Sequence, residues 1–168
     1  AQQARVEEFE EAPELAQVIL DRHKGVFPRS REEVCALPGI GRYTAGAIAS
    51  LAFGVDAPVL DGNVIRILAR VFNVADDVTE TATKNALWAL AETLVPPGRA
   101  GAWNEGLMEL GRVICTPKSP DCPHCPIAAH CTARALGVQE ERPVRPPRAK
   151  TPHFDVTAAV IRRSDGRI

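Results

Sequence analysis

Two glycines separate two helical patterns in the segment Pro38-Gly39-Ile40-Gly41. Glycine adopts a positive φ at no steric cost and lets another backbone approach closely. The N-terminus of the helix that follows presents unpaired N–H groups, which suit a phosphate. An ordinary turn between two antiparallel helices has the same pattern, so the turn alone predicts a helical hairpin and leaves its ligand open.

Helical patterns continue on both sides of this turn. Ser30-Arg31-Glu32-Glu33 is typical of a capping box at the start of a short helix. Apolar residues at helical spacing predict further helices over 14–23, 62–72, 81–95 and 100–114. In the 62–72 helix, Arg66 and Arg70 are expected on the surface, and Cys35 is expected to be a small buried hydrophobe. The predicted fold class is all-α.

Four cysteines stand in a short Pro-rich segment with the spacing C-x6-C-x2-C-x5-C, namely Cys115, Cys122, Cys125 and Cys131. The prolines prevent a long helix or strand, so the four thiolates can converge on one point. Such a set suits a 4Fe–4S cluster or a tetrahedral zinc ion. Structural zinc sites usually have two close cysteine pairs, whereas this segment has one pair between two single cysteines, which favours iron–sulfur.

The net charge of −1 excludes binding to nucleic acid through bulk positive charge, so any such binding depends on local clusters and oriented backbone groups. No run is long and apolar enough to predict a membrane span, and no secretory leader is recognised. Clustered cysteines without a leader indicate an intracellular, reducing location, cytoplasmic or nucleoid-associated.

Three motifs occur in the order of a known family: LPGIGRYTAGAIASLAFG, then VLDGNVIRILAR, then WNEGLMELGRVICTPKSPDCPHCPIAAHC. The chain resembles the helix-hairpin-helix DNA glycosylases and, among them, the adenine DNA glycosylases of the MutY family. The resemblance implies a 4Fe–4S cluster on the four cysteines and a double-stranded DNA partner that contains an adenine mispair. It implies DNA contacts at Pro38, Gly39, Ile40, Gly41, Arg42 and Lys118.

The resemblance also implies which residues act in catalysis. Asp61 is on its own an N-cap, but within VLDGNV it matches the catalytic aspartate, whose carboxylate can stabilise or capture an oxocarbenium ion. Tyr43 stands where strand-cutting relatives of the endonuclease III type carry a Schiff-base lysine, so we expect base removal without strong strand cleavage. Tyr43 is expected to hydrogen-bond Asp61 or the sugar, and Asn63 to orient polar groups in the same site.

The family's general acid, a glutamate, belongs to a segment that residues 1–14 do not resemble. We therefore expect an internal piece of an adenine glycosylase, monomeric and of low activity alone. The expected domains are a helical core over 1–112 without its N-terminal helices, a cluster loop over 113–135, and a Pro-rich basic linker over 136–152. The first strand of a β-containing, Nudix-like domain is expected over 153–168.

Two other functions remain open. A thymine glycosylase acting on G·T mismatches can also carry tyrosine after the hairpin. A DNA-binding module without chemistry would keep the hairpin, use the cysteines for zinc, and leave Asp61 as a helix cap only.

Overall fold

The computed structural model describes residues 14–147, and their regular structure is helical. The helices are α1 (Glu14–His23), α2 (Arg31–Cys35), α3 (Arg42–Phe53), α4 (Gly62–Val71), α5 (Thr81–Leu94), α6 (Ala100–Val113) and α7 (Thr132–Leu136), with short 3-10 turns at Cys122–His124, Ala128–His130 and Gln139–Glu141. The helices predicted from apolar spacing are confirmed. Residues 1–13 and the strand predicted over 153–168 lie outside the described residues.

Of the capping box predicted at the start of α2, the N-cap Ser30 is confirmed, whereas the Glu33 carboxylate binds the Ser30 hydroxyl and not the Ser30 backbone N–H. The hydroxyl oxygen of Ser30 accepts the Glu33 N–H at 3.2 Å, and the Ser30 hydroxyl donates to the Glu33 carboxylate at 2.7 Å. Gly54, with φ at +68°, ends α3 in the left-handed conformation. Local sequence signals therefore fix where the helices of the hairpin begin and end.

The core lies around α4 and α5. Its buried members come from both helices and from the segments before and between them: Val59, Leu60, Val64, Leu68, Ala69, Val78, Leu87 and Ala91. Helix α4 is buried on nearly every side, because α6 and α7 also pack against it. A helix enclosed in this way holds its first and last residues in fixed positions.

Helix α3 packs closely against α6 and the segment between α3 and α4. A Cβ on Gly46 would collide with the carbonyl oxygen of Pro58, and one on Gly101 would lie 2.9 Å from the carbonyl oxygen of Ser50. The buried Asn104 amide donates to the Ser50 hydroxyl at 2.9 Å and to the Ala57 carbonyl at 2.8 Å. These contacts hold the hairpin helix in place beside the start of α4.

Three expectations about exposure are wrong. Arg66 is 7% exposed and Arg70 is 2% exposed, although both were expected on the surface. Cys35 is exposed, because its position at the end of the five-residue α2 faces away from the core. Both arginines donate to carbonyl oxygens of segments that are distant in sequence.

Residues 142–144 pack on the segment between α4 and α5. The Val78 N–H donates to the Val144 carbonyl at 3.1 Å, and Arg142 Nε donates to Asn73 Oδ1 at 2.9 Å. Among residues 14–147, no helix is long and apolar enough to cross a membrane.

Candidate active site and cysteine loop

Asp61 is the N-cap of α4 and is half-buried. Its Oδ1 accepts the backbone N–H groups of Asn63 at 3.0 Å and of Val64 at 2.8 Å. Its Oδ2 accepts the side-chain amide of Asn63 at 3.2 Å. Three donors therefore fix the orientation of this carboxylate, and the N-cap and the candidate nucleophile are the same group.

Asn63 is held on its other side by Arg66. Arg66 Nη2 donates to Asn63 Oδ1 at 2.9 Å and to the Gly111 carbonyl at 2.7 Å. Because a guanidinium only donates, the Asn63 oxygen must face Arg66 and its NH₂ must face Asp61. Gly111 lies directly against Asn63, where an added Cβ would be 2.6 Å from Asn63 Cβ. The predicted grouping of Asp61 and Asn63 is present in the structure.

Arg66 also reaches the cysteine loop, since its Nε donates to the Cys115 carbonyl at 2.7 Å. Burial lowers the pKa of Arg66 most strongly; Cys115 and Asp61 act in the opposite direction, while Arg70 lowers it further. A continuous set of hydrogen bonds thus runs from Asp61 through Asn63 and Arg66 to the loop.

Tyr43 lies in the first turn of α3 and is 38% exposed. Its hydroxyl donates to the sulfur of Met108 at 3.8 Å. Within residues 14–147 no hydrogen bond joins Tyr43 to Asp61, and the alternative contact, with the sugar, stays a prediction. The sulfur of Met108, on α6, holds the tyrosine instead.

The hairpin turn has the geometry that its glycines predicted. Gly39 has φ at +75°, and Gly41 caps α3 without any side-chain acceptor. Both glycines are exposed, with open space where a Cβ would lie. The first N–H groups of α3 are therefore accessible to an anion, as a helix N-terminus requires.

The side chain of Arg42 is tied to α5. Its Nη2 donates to Glu92 Oε1 at 2.9 Å, and its guanidinium lies 4.2 Å from the centre of the Trp88 ring. Arg31 Nη2 reaches the same carboxylate oxygen at 3.2 Å. The hydrogen bond from Arg42 is the main cause that lowers the pKa of Glu92, with Arg31 adding to it. The carboxylate therefore joins both helices of the hairpin to α5.

All four cysteines of the loop line one cavity, together with side chains of α4, α6 and α7. Arg70 Nη1 donates to the Cys115 sulfur at 3.2 Å and to the Thr116 carbonyl at 2.7 Å. Burial raises the pKa of Cys122, and the nearby Cys131, Cys115 and Cys125 raise it further. In the described part of the chain, no three His, Cys, Asp or Glu side chains are placed to hold one metal ion. Four thiol groups, the donor type of an iron–sulfur cluster, thus line one cavity, with the buried guanidinium of Arg70 beside the Cys115 sulfur.

Lys118 is exposed on the loop between Cys115 and Cys122. The Lys118 carbonyl accepts the Thr116 hydroxyl at 3.0 Å, and the next backbone N–H, of Ser119, donates to Glu140 Oε1 at 3.0 Å. These bonds fix the backbone on both sides of the side chain and leave its ammonium group in solvent.

Arg66 and Arg70 are the site residues that sequence reasoning missed. Their separation of four residues puts them on one face of α4, and Asn63 lies on the same face three residues earlier. Four thiolates in one loop also require positive partners nearby. Both signals together would have indicated that the arginines face the loop.

Two family models match the chain: the helix-hairpin-helix motif over residues 22–51 and the iron–sulfur binding domain of endonuclease III over residues 115–131. The adenine DNA glycosylase of Homo sapiens is 46% identical over 129 residues, 76% of this chain and 24% of the relative. That of Arabidopsis thaliana is 45% identical over 115 residues, 68% of this chain and 18% of the relative. The chain is a homologue of the adenine DNA glycosylases.

This homologue also resembles other members of the superfamily. The thymine/uracil-DNA glycosylase of Methanothermobacter thermautotrophicus is 40% identical over 123 residues, 73% of this chain and 55% of the relative. A solved thermostable thymine-DNA glycosylase superposes with a TM-score of 0.65 at 39% identity, covering 73% of this chain and 56% of that one. An endonuclease III–DNA complex superposes with a TM-score of 0.59 at 29% identity, covering 74% and 56%.

The chain spans about a quarter of the length of the mammalian adenine DNA glycosylases that it matches. The match over residues 115–131 decides between the two metals considered for the cysteines, and the cofactor is a 4Fe–4S cluster. The zinc alternative is therefore wrong.

Proposed function

We propose that this homologue removes adenine opposite 8-oxoguanine or guanine in duplex DNA, as a monomeric, monofunctional glycosylase that acts by hydrolysis of the N-glycosidic bond. The observation that supports it best is the carboxylate of Asp61, fixed by three hydrogen bonds at the N-terminus of a buried helix. The similarity to adenine DNA glycosylases supports the choice of base.

The adenine must leave the base stack to reach Asp61. Cleavage of its bond to the sugar develops positive charge on the ring, and the oriented carboxylate stabilises that charge or captures the sugar. Asn63 acts on Asp61 rather than on the substrate, because its amide holds Oδ2 and its oxygen is held by Arg66. Tyr43 offers a hydroxyl and no amine, so no Schiff base forms at that position and the strand is not cut there.

The DNA backbone is bound, in this proposal, by the hairpin turn Pro38, Gly39, Ile40 and Gly41 through the open amides of α3, and by Lys118. Arg42 contributes by holding the hairpin to α5 through Glu92 and Trp88. Cys115, Cys122, Cys125 and Cys131 hold the cluster, which fixes the loop carrying Lys118. The domain division at about 112, 135 and 152 belongs to the same proposal.

The test separates the catalytic role of Asp61 from its role as a cap. Asparagine caps a helix about as well as aspartate does, so Asp61→Asn should keep the fold while removing the negative charge. We expect single-turnover adenine excision by the full-length protein to fall about 10²-fold or more. Asp76→Asn, at an exposed aspartate, is the matched control and should excise adenine at the normal rate.

The duplexes for this assay carry 8-oxoguanine·A, G·A or G·T, and half of each sample is treated with alkali. Adenine release with strand breaks only after alkali is the expected result. Thymine release from G·T would instead favour the activity named for the archaeal relative. Normal excision by Asp61→Asn would mean that Asp61 is a helix cap only.

A further inference from the structure

An open cavity of about 310 Å³ lies where the cysteine loop meets the linker. It is lined by Arg66, Arg142, Arg145, Pro117, Glu140 and Pro143. Three of these side chains carry positive charge and one carries negative charge. This cavity is separate from the one lined by the four cysteines, and neither Asp61 nor the hairpin turn contributes to it.

Two of the arginines in this cavity are held mainly by uncharged oxygens. Arg66 is fixed by carbonyl and amide oxygens, and Arg142 Nε donates to Asn73 Oδ1, while its Nη1 lies 3.7 Å from the exposed carboxylate of Glu141. Arg145 is exposed, and in the described part of the chain no carboxylate lies within ion-pair distance of it. The positive charge of Arg145 also repels that of Arg66, and this repulsion contributes to the lowered pKa of Arg66. Within residues 14–147, Arg145 thus adds a positive charge without an ion pair next to Arg66, and this arrangement favours an anion between the two guanidinium groups.

The one acidic side chain that lines the cavity already accepts a hydrogen bond from the backbone. One oxygen of Glu140 accepts the Ser119 N–H, so this carboxylate secures the loop that carries Lys118. Pro117, beside Lys118 in sequence, lines the same cavity. The exposed Lys118 therefore directly follows a residue that lines the positive cavity.

We propose that this cavity is a second phosphate-binding site, which takes a phosphodiester of the DNA strand next to the phosphate bound at Lys118, with Arg145 as its principal contact. Arginine suits this role because its planar guanidinium can donate two parallel hydrogen bonds to a phosphate. The inference rests on the proposed function, since it takes DNA as the ligand, and it extends the binding surface from the helical core onto the linker.

The test measures binding of the full-length, cluster-loaded protein to an undamaged duplex between about 50 and 200 mM salt. Over this range the affinity of proteins that contact phosphates depends strongly on salt. The logarithm of the binding constant falls as the logarithm of the salt concentration rises, and loss of one phosphate contact makes this slope less negative by about 0.9. At 0.1 M salt this corresponds to about eightfold weaker binding. We expect this change for Arg145→Gln. Arg145→Lys, which keeps the charge, should retain the slope.

Arg99→Gln is the matched control, because Arg99 is an exposed arginine that lines a different cavity with Pro96, Ala102 and Trp103. Its slope should equal that of the unmodified protein. An unchanged slope in Arg145→Gln, or an equal loss in Arg99→Gln, would overturn the proposal. So would a fall in thermal stability of Arg145→Gln with unchanged DNA binding, since Arg145 would then hold part of this chain.

Inorganic phosphate distinguishes a strand contact from a site for a free anion. At fixed ionic strength, millimolar phosphate should not raise the thermal stability of the protein through Arg145. If phosphate stabilises the unmodified protein but not Arg145→Gln, the cavity binds a small free anion, and the proposed contact with a DNA strand is refuted. Adenine excision by the unmodified protein is measured in parallel. Absence of excision would refute the proposed function, whereas the salt slopes would still show whether Arg145 contacts a phosphate.

Discussion

A single methyl group added to α6 should disturb the carboxylate at the start of α4. In Gly111→Ala, the new Cβ would lie 2.6 Å from Asn63 Cβ and 3.2 Å from Asn63 Cγ, so Asn63 must move. Overpacking of this kind costs about 1–3 kcal/mol. Against this cost, alanine in a helix interior stabilises the folded protein by about 0.5–1 kcal/mol relative to glycine.

Gly106→Ala, on the same helix, is the matched control. No atom lies within 4 Å of the position that its Cβ would take, so only the gain in helix propensity remains. Because that gain is common to both variants, their free energies of unfolding should differ by the overpacking cost alone, about 1–3 kcal/mol. For a chain of this size each kcal/mol corresponds to about 2–4 °C in Tm.

Urea unfolding and single-turnover adenine excision are measured on both variants. Movement of Asn63 weakens its 3.2 Å bond to Asp61, so Gly111→Ala should excise adenine more slowly, whereas Gly106→Ala should match the unmodified protein. Equal stability and equal excision in the two variants would refute the packing argument and the positioning role of Asn63.

Three further predictions concern the buried and charged contacts. Glu92→Gln should lower the free energy of unfolding by no more than about 1 kcal/mol at pH 7, because the carboxylate is exposed. Since Arg42 and Arg31 lower the pKa of Glu92, this difference should vanish as the pH falls through that lowered pKa, as urea unfolding at several pH values can measure. Asn104→Leu removes both donors to Ser50 and Ala57 and should cost about 1–3 kcal/mol in the same measurement. Arg70→Met should reduce iron content per chain, because the Cys115 sulfur and the loop carbonyls lose their donor, whereas Arg99→Met should retain its iron.

The helices were predictable because their signals are local. Apolar spacing, the Ser30 N-cap and the glycine that ends α3 each act within one or two turns of the chain. Asp61 was predictable as an N-cap for the same reason. Its pairing with Asn63 follows from a separation of two residues at a helix start.

Apart from the bond of Arg66 to Asn63, the contacts that sequence reasoning missed join distant segments. Arg66 meets Cys115 across 49 positions, Arg42 meets Glu92 across 50, and Tyr43 meets Met108 across 65. Arginine is rarely buried, so the expectation of a surface position was the ordinary one. It failed at α4 because carbonyl oxygens of the loop and of α6 satisfy these guanidinium groups in the interior.

One face of α4 connects the carboxylate to the cysteine loop. Asp61 caps the helix, and Asn63, Arg66 and Arg70 follow along that face at separations of three and four residues. Helix α6 ends at Val113, and the last carbonyls of a helix lack partners within it. Arg66 takes the Gly111 carbonyl, and both arginines take carbonyls of the loop that follows.

A buried guanidinium that loses its acceptors costs several kcal/mol, and departure of the loop would take the Thr116 and Pro117 carbonyls away from Arg70. Arg66 would lose only the Cys115 carbonyl, because it also donates to Asn63 Oδ1 and to the Gly111 carbonyl. Disorder of the loop should therefore affect Arg70 most strongly and should leave Asn63 bonded to Asp61 Oδ2. Through Arg66, the same hydrogen-bond network joins the loop to the residue that orients Asp61.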